Sequence, residues 1–218
     1  FNEVYMRIFT DRSIEQELSD FFRFRVKGYQ FQPSYKAKLW DGYIRLYNLQ
    51  TKTLYAGLID YVVEFAKRNY YPIEISKDLN SRTGVSYEQI KEFTQSLSLH
   101  ARGNPIELRD YQIEAVQVAI DRSRVMLISP TASGKSAIIY STLRWHLKEG
   151  RKCIIIVPST SLVEQMYADF EDYSTGNGFS VNTHMQKLYA GFSKQFTKDV
   201  LITTWQSIYK QPKGWFQQ

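Results

Sequence analysis

A lysine and a serine at the start of a predicted helix are the residues of this sequence best suited to chemistry. The segment 129–136 reads Ser-Pro-Thr-Ala-Ser-Gly-Lys-Ser and stands between a predicted strand, 125–128, and a predicted helix, 135–148. In such a strand-loop-helix arrangement, backbone N–H groups and the helix dipole converge on the phosphates of a nucleotide. The spacing lets Lys135 reach the β- and γ-phosphates and lets the Ser136 hydroxyl ligate Mg²⁺. We therefore predict a nucleotide and magnesium site with Lys135 and Ser136 as its catalytic residues.

The loop itself supplies the remainder of this predicted site. Its nucleotide-binding residues are Pro130, Thr131, Ala132, Ser133, Gly134, Lys135 and Ser136. The pattern G-x-x-x-x-G-K-[ST] is not met at its first position, where Ser129 replaces glycine, and Ala132 also stands where glycine is common. The alternative is a helix start without a ligand. The predicted strand before the loop and the predicted helix after it favour nucleotide binding.

The loop belongs to a half of the chain in which helices alternate with short apolar strands. The predicted strands are 125–128, 153–157 and 200–203, and the predicted helices are 111–121, 135–148 and 160–173. Strands that are apolar on both faces are typical of a parallel sheet covered by helices. Residues 105–218 are therefore predicted to form an α/β domain.

The first half of the chain has a different pattern, in which alternating strands accompany amphipathic helices. Strands are predicted at 4–9, 24–26, 43–47 and 72–75, and helices at 13–22, 58–69 and 87–97. The sequence Arg-Gly-Asn-Pro at 102–105 has the composition of a linker. We predict a small α+β domain over residues 1–104, which contains this linker, followed by the α/β domain over residues 105–218.

The basic charge of the chain is concentrated in one segment of the first domain. The formal net charge is +6, and residues 23–52 hold seven basic side chains against the single acid Asp41. Aromatic residues between these cations could stack on bases, or they could fill the core of a twisted sheet. For the cations we favour contact with nucleic-acid phosphates. The predicted contact residues are Arg23, Arg25, Lys27, Lys36, Lys38 and Arg45.

Composition excludes several other classes of protein. Cys153 is the only cysteine and the three histidines are scattered, which excludes a disulfide framework and a thiolate zinc cluster. No apolar run approaches the roughly 20 residues that span a bilayer, and no signal peptide is recognisable at the N-terminus. We expect a cytoplasmic protein without a membrane partner.

Motifs on both sides of the phosphate loop give the sequence a family resemblance. Leu-Arg-Asp-Tyr-Gln at 108–112 precedes the loop, Pro-Ser-Thr at 158–160 follows one predicted strand, and Thr-Trp-Gln at 204–206 follows another. Together with the loop, and in this order, they resemble the Q motif, motif I, motif Ia and the Thr-Trp-Gln motif of superfamily 2 helicases. The resemblance implies that the second domain is a RecA-like P-loop NTPase domain that binds ATP and Mg²⁺.

The resemblance also implies a role for each of these motifs. Gln112, with Arg109, would recognise adenine. The residues that would contact the DNA backbone are Pro158, Ser159, Thr160, Thr204, Trp205 and Gln206. Hydroxyl and N–H groups at the carboxyl ends of parallel strands are suited to holding phosphates. Taken singly, either DNA motif also fits an ordinary turn into a helix with a Ser or Thr cap.

The first domain extends the resemblance over nearly the whole chain. The segments 21–24, 28–33 and 40–46 are similar to the N-terminal domain of the UvsW-type helicases of phage recombination and repair. This similarity implies an ATP-dependent DNA helicase or translocase. Its substrates would be branched DNA, such as forks and Holliday junctions, or duplexes with single-stranded regions.

One departure from the helicase pattern matters for activity. No Asp-Glu pair follows Gln206, although helicases use such a pair to hold Mg²⁺ and to position the attacking water. We therefore expect an N-terminal fragment with an incomplete first motor domain that is inactive alone. Two alternatives stay open: a non-enzymatic nucleic-acid-binding protein with a vestigial nucleotide fold, and another P-loop enzyme such as a small kinase, for which no Arg-rich lid is visible.

Overall fold

The computed structural model describes residues 4–79, 82–122, 124–191 and 195–217 of the chain. Contacts divide the chain into two compact units, Phe1–Ser81 and Arg82–Gln218. Among the described residues, every helix is too short or too polar to cross a bilayer. The same residues contain no cluster of His, Cys, Asp and Glu side chains able to hold a metal ion.

The first unit consists of short helices and two-stranded ribbons. Its strands are β1 (Tyr5–Arg7), β2 (Arg23–Arg25), β3 (Tyr43–Arg45) and β4 (Thr53–Tyr55). Its α-helices are α1 (Arg12–Phe21), α2 (Pro33–Lys36) and α3 (Ile59–Arg68), and its 3₁₀ turns are Tyr29–Phe31, Ala56–Leu58 and Lys77–Leu79. Strand β1 pairs antiparallel with β4, and β2 pairs antiparallel with β3. The predicted α+β class of this module is confirmed.

The core of the first unit lies where the helices cover the β1–β4 ribbon. Met6 and Leu54, which face each other across that ribbon, are buried with Leu18 of α1 and Phe65 of α3. Both helices present apolar residues at helical spacing on one side, so each buries a stripe and leaves its other face in water. Tyr47, which follows β3, is buried in the same cluster.

The second unit contains the longer helices and a parallel sheet. Its helices are α4 (Tyr87–Ser96), α5 (Asp110–Arg122), α6 (Lys135–Lys148), α7 (Thr160–Tyr173), α8 (Val181–His184) and α9 (Trp205–Ile208), with a 3₁₀ segment at Lys213–Gln217. Its strands are β5 (His100–Ala101), β6 (Asn104–Pro105), β7 (Cys153–Val157), β8 (Met185–Leu188) and β9 (Val200–Thr204). Strands β7, β9 and β8 form a parallel sheet in that order. The predicted α/β class is confirmed.

The parallel sheet is held by its central strand. Val200, Leu201 and Ile202 of β9 are fully buried, as expected for a strand that has a neighbour on each side and helices against the sheet. Cys153 of β7 lies opposite Val200, and Val157 lies opposite Thr204. This register brings the ends of β7 and β9 to one edge of the sheet.

The division of the chain falls earlier than the predicted boundary after residue 104. Ile90 of α4 is buried in a cluster with Ile113 and Val116 of α5, and Phe93 of the same helix is buried in the cluster that contains Tyr140 and Phe170. The apolar stripe of α4 therefore packs inside the second unit. The segment interpreted as a linker, 102–105, forms the turn between β5 and β6, at Arg102 and Gly103, which both have positive φ, and then β6 itself.

Two predicted strands are absent from the described structure. Residues 72–75 and 125–128 are irregular, and Met126 and Ile128 are 84% and 91% exposed. A strand forms only when a neighbour accepts and donates its backbone hydrogen bonds. No described strand pairs with either segment, so both predictions were wrong for the described residues. The loop nevertheless leads directly into the predicted helix, α6.

Candidate nucleotide site and nucleic-acid interface

The phosphate loop has the backbone conformation of an anion cradle. Ala132 and Gly134 both adopt left-handed φ angles, of 63° and 76°, and α6 begins at the next residue, Lys135. Such alternation turns successive N–H groups toward one concavity. Within the described residues, the N–H groups of Ala132, Gly134, Lys135 and Ser136 donate no hydrogen bond. Ala132 thus holds a left-handed conformation that glycine adopts more readily than other residues.

The ammonium group of Lys135 lies over the carbonyl groups of the same loop. Its Nζ donates to Pro130 O at 2.6 Å and to Ser129 O at 3.2 Å, and the side chain is exposed. The Ser129 and Ser133 hydroxyls are hydrogen-bonded to each other. A movable cation beside unpaired N–H groups matches the donor set that a triphosphate requires.

Ser136 is the second residue of α6 and is half-buried. Its Oγ lies 2.9 Å from the hydroxyl of Tyr173, the last residue of α7. Burial raises the pKa of Tyr173, so the phenol stays neutral at physiological pH. Mg²⁺ prefers hard oxygen ligands and usually takes only one or two from the protein, with phosphate oxygens and waters completing the shell. One serine hydroxyl beside a phosphate cradle fits that requirement.

Helix α5 is hydrogen-bonded to the loop through the side chains of Tyr111 and Gln112. The Gln112 Nε2 donates to Ser133 O at 2.9 Å, and the Tyr111 hydroxyl donates to the same oxygen at 3.0 Å. The Gln112 Oε1 accepts from the backbone N–H of Arg109 at 2.8 Å. A primary amide can form four hydrogen bonds, so one N–H and one acceptor site of Gln112 are left. Adenine presents the complementary pair at N6 and N7.

Close packing between Gln112 and Gly134 explains why the loop needs glycine there. Gln112 is only 7% exposed. A Cβ atom added to Gly134 would lie 2.2 Å from Gln112 Nε2, far inside van der Waals contact. Glycine at this position therefore allows the left-handed φ and leaves room for the Gln112 amide to reach Ser133 O.

The two predicted DNA motifs meet at the carboxyl edge of the sheet. Because Val157 lies opposite Thr204, the segments 158–160 and 204–206 leave neighbouring strands side by side. Pro158, Ser159 and Thr160 are exposed, and Ser159 Oγ also caps α7 by accepting from Leu162 N at 3.3 Å.

The residues of the second DNA motif differ in how they are exposed. Trp205 is 61% exposed and Gln206 is exposed, whereas Thr204 is 4% exposed. The Thr204 Oγ1 lies 2.9 Å from Ser207 Oγ. The Thr204 side chain is thus used within the turn, while Trp205 and Gln206 face outward.

In the first unit, three predicted cations converge on one tyrosine. Arg23 lies opposite Arg45 across the β2–β3 ribbon, and Arg25 lies opposite Tyr43. The three guanidinium carbons are 4.9, 4.8 and 5.8 Å from the Tyr43 ring centroid for Arg23, Arg25 and Arg45 respectively. Like charges directly opposite on a ribbon repel. An anion on this face would reduce that repulsion.

Two of these arginines already have acidic partners. Arg23 pairs with Asp20 at 2.9 Å. Arg45 donates to both carboxylate oxygens of Asp41, at 3.3 and 2.5 Å, and this contact lowers the pKa of Asp41 to about 2. Arg25 has no acidic partner among the described ion pairs.

The three predicted lysines lie outside the ribbon. Lys27, Lys36 and Lys38 are exposed, and none forms an ion pair within the described residues. Lys36 ends α2 and Lys38 follows it with a φ of 57°. The segment therefore presents two unpaired cations in a tight turn.

The aromatic residues of the basic segment divide between both predicted roles. Tyr47 is buried in the core, where burial raises its pKa to about 12. Trp40 is half-buried and donates its indole N–H to Tyr43 O at 2.8 Å. Phe24 and Phe31 are exposed and are available for stacking.

Sequence reasoning missed two tyrosines that contact residues of the candidate nucleotide site. Tyr111 stands next to Gln112, so the motif itself could have suggested it. Tyr173 is separated from Ser136 by two helices and a strand, and no local pattern connects the two residues. Only the packing of α6 against α7 brings them together.

Both parts of the chain are similar to known proteins. A family model described as "Type III restriction enzyme, res subunit" matches residues 105–218, and one described as "DNA helicase UvsW, N-terminal" matches residues 1–76. The sequence is 36% identical over 220 residues to "ATP-dependent DNA helicase uvsW" of Enterobacteria phage T4, covering 98% of this chain and 43% of that protein. The chain therefore spans less than half the length of this relative.

Shorter matches and solved structures agree with that result. A "Probable ATP-dependent RNA helicase ddx52" of Dictyostelium discoideum is 32% identical over 102 residues, covering 43% of this chain and 15% of that protein. The structure titled "The crystal structure of T4 UvsW" superimposes with a TM-score of 0.89 at 33% identity, covering 100% of this chain and 44% of that one. A second UvsW structure gives 0.88 at 33% identity, covering 100% of this chain and 77% of that one.

A phosphate loop before a long helix, beside a parallel sheet, defines a P-loop NTPase domain of the RecA-like type. The matches cover both units. The chain belongs to the superfamily 2 helicases, and within them to the UvsW type.

Proposed function

We propose that this chain is the DNA-binding and nucleotide-binding part of an ATP-dependent DNA helicase or translocase that remodels branched DNA in the host cytoplasm. The observation that carries the proposal is the phosphate loop, where unpaired N–H groups and the Lys135 ammonium meet at the start of α6. The loop would bind the phosphates through residues 130–136, and Ser136 would ligate Mg²⁺. Bound Mg²⁺ would neutralise charge on the β- and γ-phosphates during transfer to water.

The same proposal assigns adenine recognition to α5. The unused N–H and acceptor of the Gln112 amide match the edge of adenine. Arg109 is exposed next to this amide and would lie beside the base. Because Gln112 also donates a hydrogen bond to Ser133 O, one side chain would both bind the base and stabilise the conformation of the loop.

We assign DNA binding to two separate surfaces, one on each unit. On the second unit, exposed residues at the ends of β7 and β9 would hold phosphates of one strand. On the first unit, the arginines around Tyr43 and the lysines near α2 would contact backbone phosphates. These cations are Arg23, Arg25, Arg45, Lys27, Lys36 and Lys38. A branched substrate offers several duplex arms to two such surfaces.

The alternative of a non-enzymatic nucleic-acid-binding protein is not favoured, because the matches run through the helicase domain as well as the N-terminal unit. Apart from the phosphate loop, no feature of the sequence supports the alternative of a small kinase. An Asp-Glu-x-His box encoded within about forty residues after Gln218, a distance set by usual βα unit lengths, would support a helicase over both alternatives.

The direct test is the binding of a fluorescent, non-hydrolysable ATP analogue to the 218-residue chain with Lys135→Ala. We expect affinity to fall at least tenfold with an unchanged circular dichroism spectrum, because the side chain is exposed and its loss opens no cavity. Lys148→Ala, at the other end of the same helix, is the matched control and should bind normally. Equal affinity of the Lys135→Ala variant and wild type would refute the nucleotide site.

In the full-length gene product, the same Lys135→Ala substitution should abolish ATP hydrolysis stimulated by branched DNA. DNA binding itself should persist, since the proposed DNA contacts lie on other elements. Hydrolysis that is not stimulated by any DNA would argue against a helicase while leaving the nucleotide site in place.

A further inference from the structure

Two tyrosine-serine hydroxyl pairs join α6 to the end of α7. The Tyr173 hydroxyl lies 2.9 Å from Ser136 Oγ, and the Tyr140 hydroxyl lies 2.7 Å from the Oγ of Ser174. The rings of Tyr140 and Tyr173 also meet edge to face, with their centroids 5.6 Å apart. Both pairs therefore connect the same two helices, but only Tyr173 contacts a residue that follows Lys135 directly.

The chemistry of a metal-ligating serine gives the Tyr173 contact a specific role. A serine hydroxyl that ligates Mg²⁺ uses an oxygen lone pair, so its hydrogen must donate to an acceptor on the side away from the metal. The neutral phenol oxygen of Tyr173 is such an acceptor at hydrogen-bond distance from Ser136. Partners of this kind orient metal ligands and tune the affinity of the metal.

Side-chain entropy sets the scale of the effect. A serine without a partner samples three staggered χ1 rotamers, and only one directs the oxygen toward a metal beside the loop. Holding that rotamer in advance is worth roughly threefold in Mg²⁺ affinity from the rotamer count alone. The hydrogen bond also polarises the serine hydroxyl, and losing this polarisation would bring the total loss of Mg²⁺ affinity toward about tenfold. That value is the lower end of the effects measured for residues that hydrogen-bond to metal ligands.

We propose that Tyr173 is a positioning residue for Ser136, holding the serine hydroxyl in the rotamer that ligates the Mg²⁺ of a bound nucleotide, an assignment that rests on the function proposed above. The tyrosine lies at the end of the helix that begins at the DNA motif 158–160. In this assignment Tyr173 acts only through Ser136, the residue that its hydroxyl contacts. The ring of Tyr173 packs against Tyr140, which fixes the direction of its hydroxyl.

The test uses Tyr173→Phe in the 218-residue chain, which keeps the ring and removes only the hydroxyl. The readout is the affinity for a fluorescent, non-hydrolysable ATP analogue, measured with Mg²⁺ and again with EDTA. We expect the affinity in EDTA to equal that of wild type and the Mg²⁺-dependent gain to fall about 3- to 10-fold. Tyr140→Phe, which breaks the other tyrosine-serine pair between the same helices, should retain the full gain.

A double-mutant cycle gives a second, independent measurement. Ser136→Ala removes the ligand, so adding Tyr173→Phe to it should change the Mg²⁺-dependent gain no further. If the two substitutions instead add, Tyr173 acts on the site by another route and the proposal is overturned.

The remaining outcomes separate this proposal from the function on which it rests. A wild-type gain in Tyr173→Phe, or an equal loss with and without Mg²⁺, overturns the positioning role while leaving the nucleotide site intact. If wild type itself binds the analogue without any Mg²⁺-dependent gain, the assignment of Ser136 fails and the role of Tyr173 fails with it. If wild type does not bind the analogue at all, the proposed nucleotide function is refuted.

Discussion

Gln112 donates a side-chain N–H to the carbonyl oxygen of Ser133 at 2.9 Å, and this bond ties helix α5 to the phosphate loop. The two residues are 21 positions apart and both are buried. A buried carbonyl without a donor costs about 1–3 kcal/mol, and here the Tyr111 hydroxyl is the second donor. The loop is therefore shaped by residues that precede it as well as by its own sequence.

The first prediction concerns the Gln112 amide. We expect Gln112→Ala to reduce the preference for ATP over GTP about tenfold or more, because a site built to hydrogen-bond one base edge discriminates strongly against another. Stability should fall by about 1–3 kcal/mol, because the hydrogen bonds of the side chain with Ser133 O and with Arg109 N are both lost. The measurement is the ratio of equilibrium affinities for fluorescent ATP and GTP analogues.

Gln117 on the same helix provides the matched control. Its Nε2 donates to Val85 O at 2.9 Å, so Gln117→Ala also removes a hydrogen bond from a side-chain amide to a backbone carbonyl. We expect a loss of stability of about 1 kcal/mol for this one hydrogen bond and an unchanged ATP-to-GTP ratio. If Gln112→Ala behaves like Gln117→Ala, Gln112 serves only to begin the helix and hold the loop.

The second prediction concerns Gly134. Gly134→Ala places a Cβ 2.2 Å from Gln112 Nε2 and forces a non-glycine residue to φ +76°, which costs about 1–2 kcal/mol. The displaced Gln112 amide should lose its hydrogen bond to Ser133 O. Nucleotide affinity should then fall tenfold or more. Isothermal titration with the ATP analogue measures this loss.

Gly150 separates backbone strain from the clash. Its φ is +72°, and a Cβ added there meets nothing within 4 Å. Gly150→Ala should therefore show the same cost of about 1–2 kcal/mol in unfolding experiments and normal nucleotide binding. Equal nucleotide affinities in the two variants would show that the contact with Gln112 is irrelevant to the site.

The third prediction concerns the two lysines near α2. If Lys36 and Lys38 contact DNA phosphates, each engaged phosphate contributes about −0.9 to the slope of log affinity against log salt. The double variant Lys36→Glu, Lys38→Glu should therefore flatten the slope by about 2 and weaken binding to all sequences alike. The measurement is fluorescence anisotropy of branched and linear duplexes with the 218-residue chain over a salt series.

Two controls distinguish contact from net charge and from folding. Lys67→Glu with Arg68→Glu, at the end of α3, makes the same change in net charge and should leave the slope nearly unchanged. Trp40→Ala removes a half-buried ring and its hydrogen bond to Tyr43 O, so it should lower the Tm before it affects the salt dependence. An identical slope for wild type and the lysine variant would show that these lysines only solvate the turn.

The fourth prediction is a pH dependence at Asp41. Hydrogen bonds from Arg45 lower its pKa from an ordinary 3.8 to about 2. A group whose folded pKa is lowered contributes stability that is present above the unfolded pKa and is lost as the pH falls through the folded value. The Tm difference between wild type and Asp41→Asn should therefore be constant above about pH 5 and shrink between about pH 4 and pH 2.

Asparagine at this position retains an oxygen that can accept the Tyr43 backbone N–H, which Asp41 Oδ1 accepts at 3.1 Å. The local turn should thus survive the substitution, and the far-ultraviolet circular dichroism should not change. A Tm difference that does not vary with pH would mean that the Arg45 contact contributes nothing to folding.

Several features of the fold and site were predictable because they depend on local patterns. Helices α1, α3, α4, α6 and α7 match the predicted helices closely, since apolar residues at helical spacing act within one or two turns. The structure adds a capping box at the start of α4, between Ser86 and Gln89. Strands β7 and β9 were predictable because continuous apolar residues favour a buried parallel strand. The helix start at Lys135 followed from the Gly-Lys-Ser sequence.

Other features escaped prediction because their signals are weak or lie far away in sequence. Strand β8 contains Gln186 and Lys187 among its four residues, so its composition does not indicate a strand of a parallel sheet. It pairs with β9 through register with residues 15 positions later. The packing of α4 into the second unit likewise depends on partners, among them Tyr140 and Phe170, that no local window contains.

The sequence by itself determined the longer helices, strands β7 and β9 and the helix start after the phosphate loop, because propensity, periodicity and turn chemistry act between neighbours. Only the tertiary structure decided which segments pair and which side chains meet. Residues 125–128 have the composition of a strand but no described partner, since a strand requires hydrogen bonds from another segment. The contacts of Ser136 with Tyr173 and of Ser133 with Gln112 arise in the same way, when packing brings distant helices to one loop.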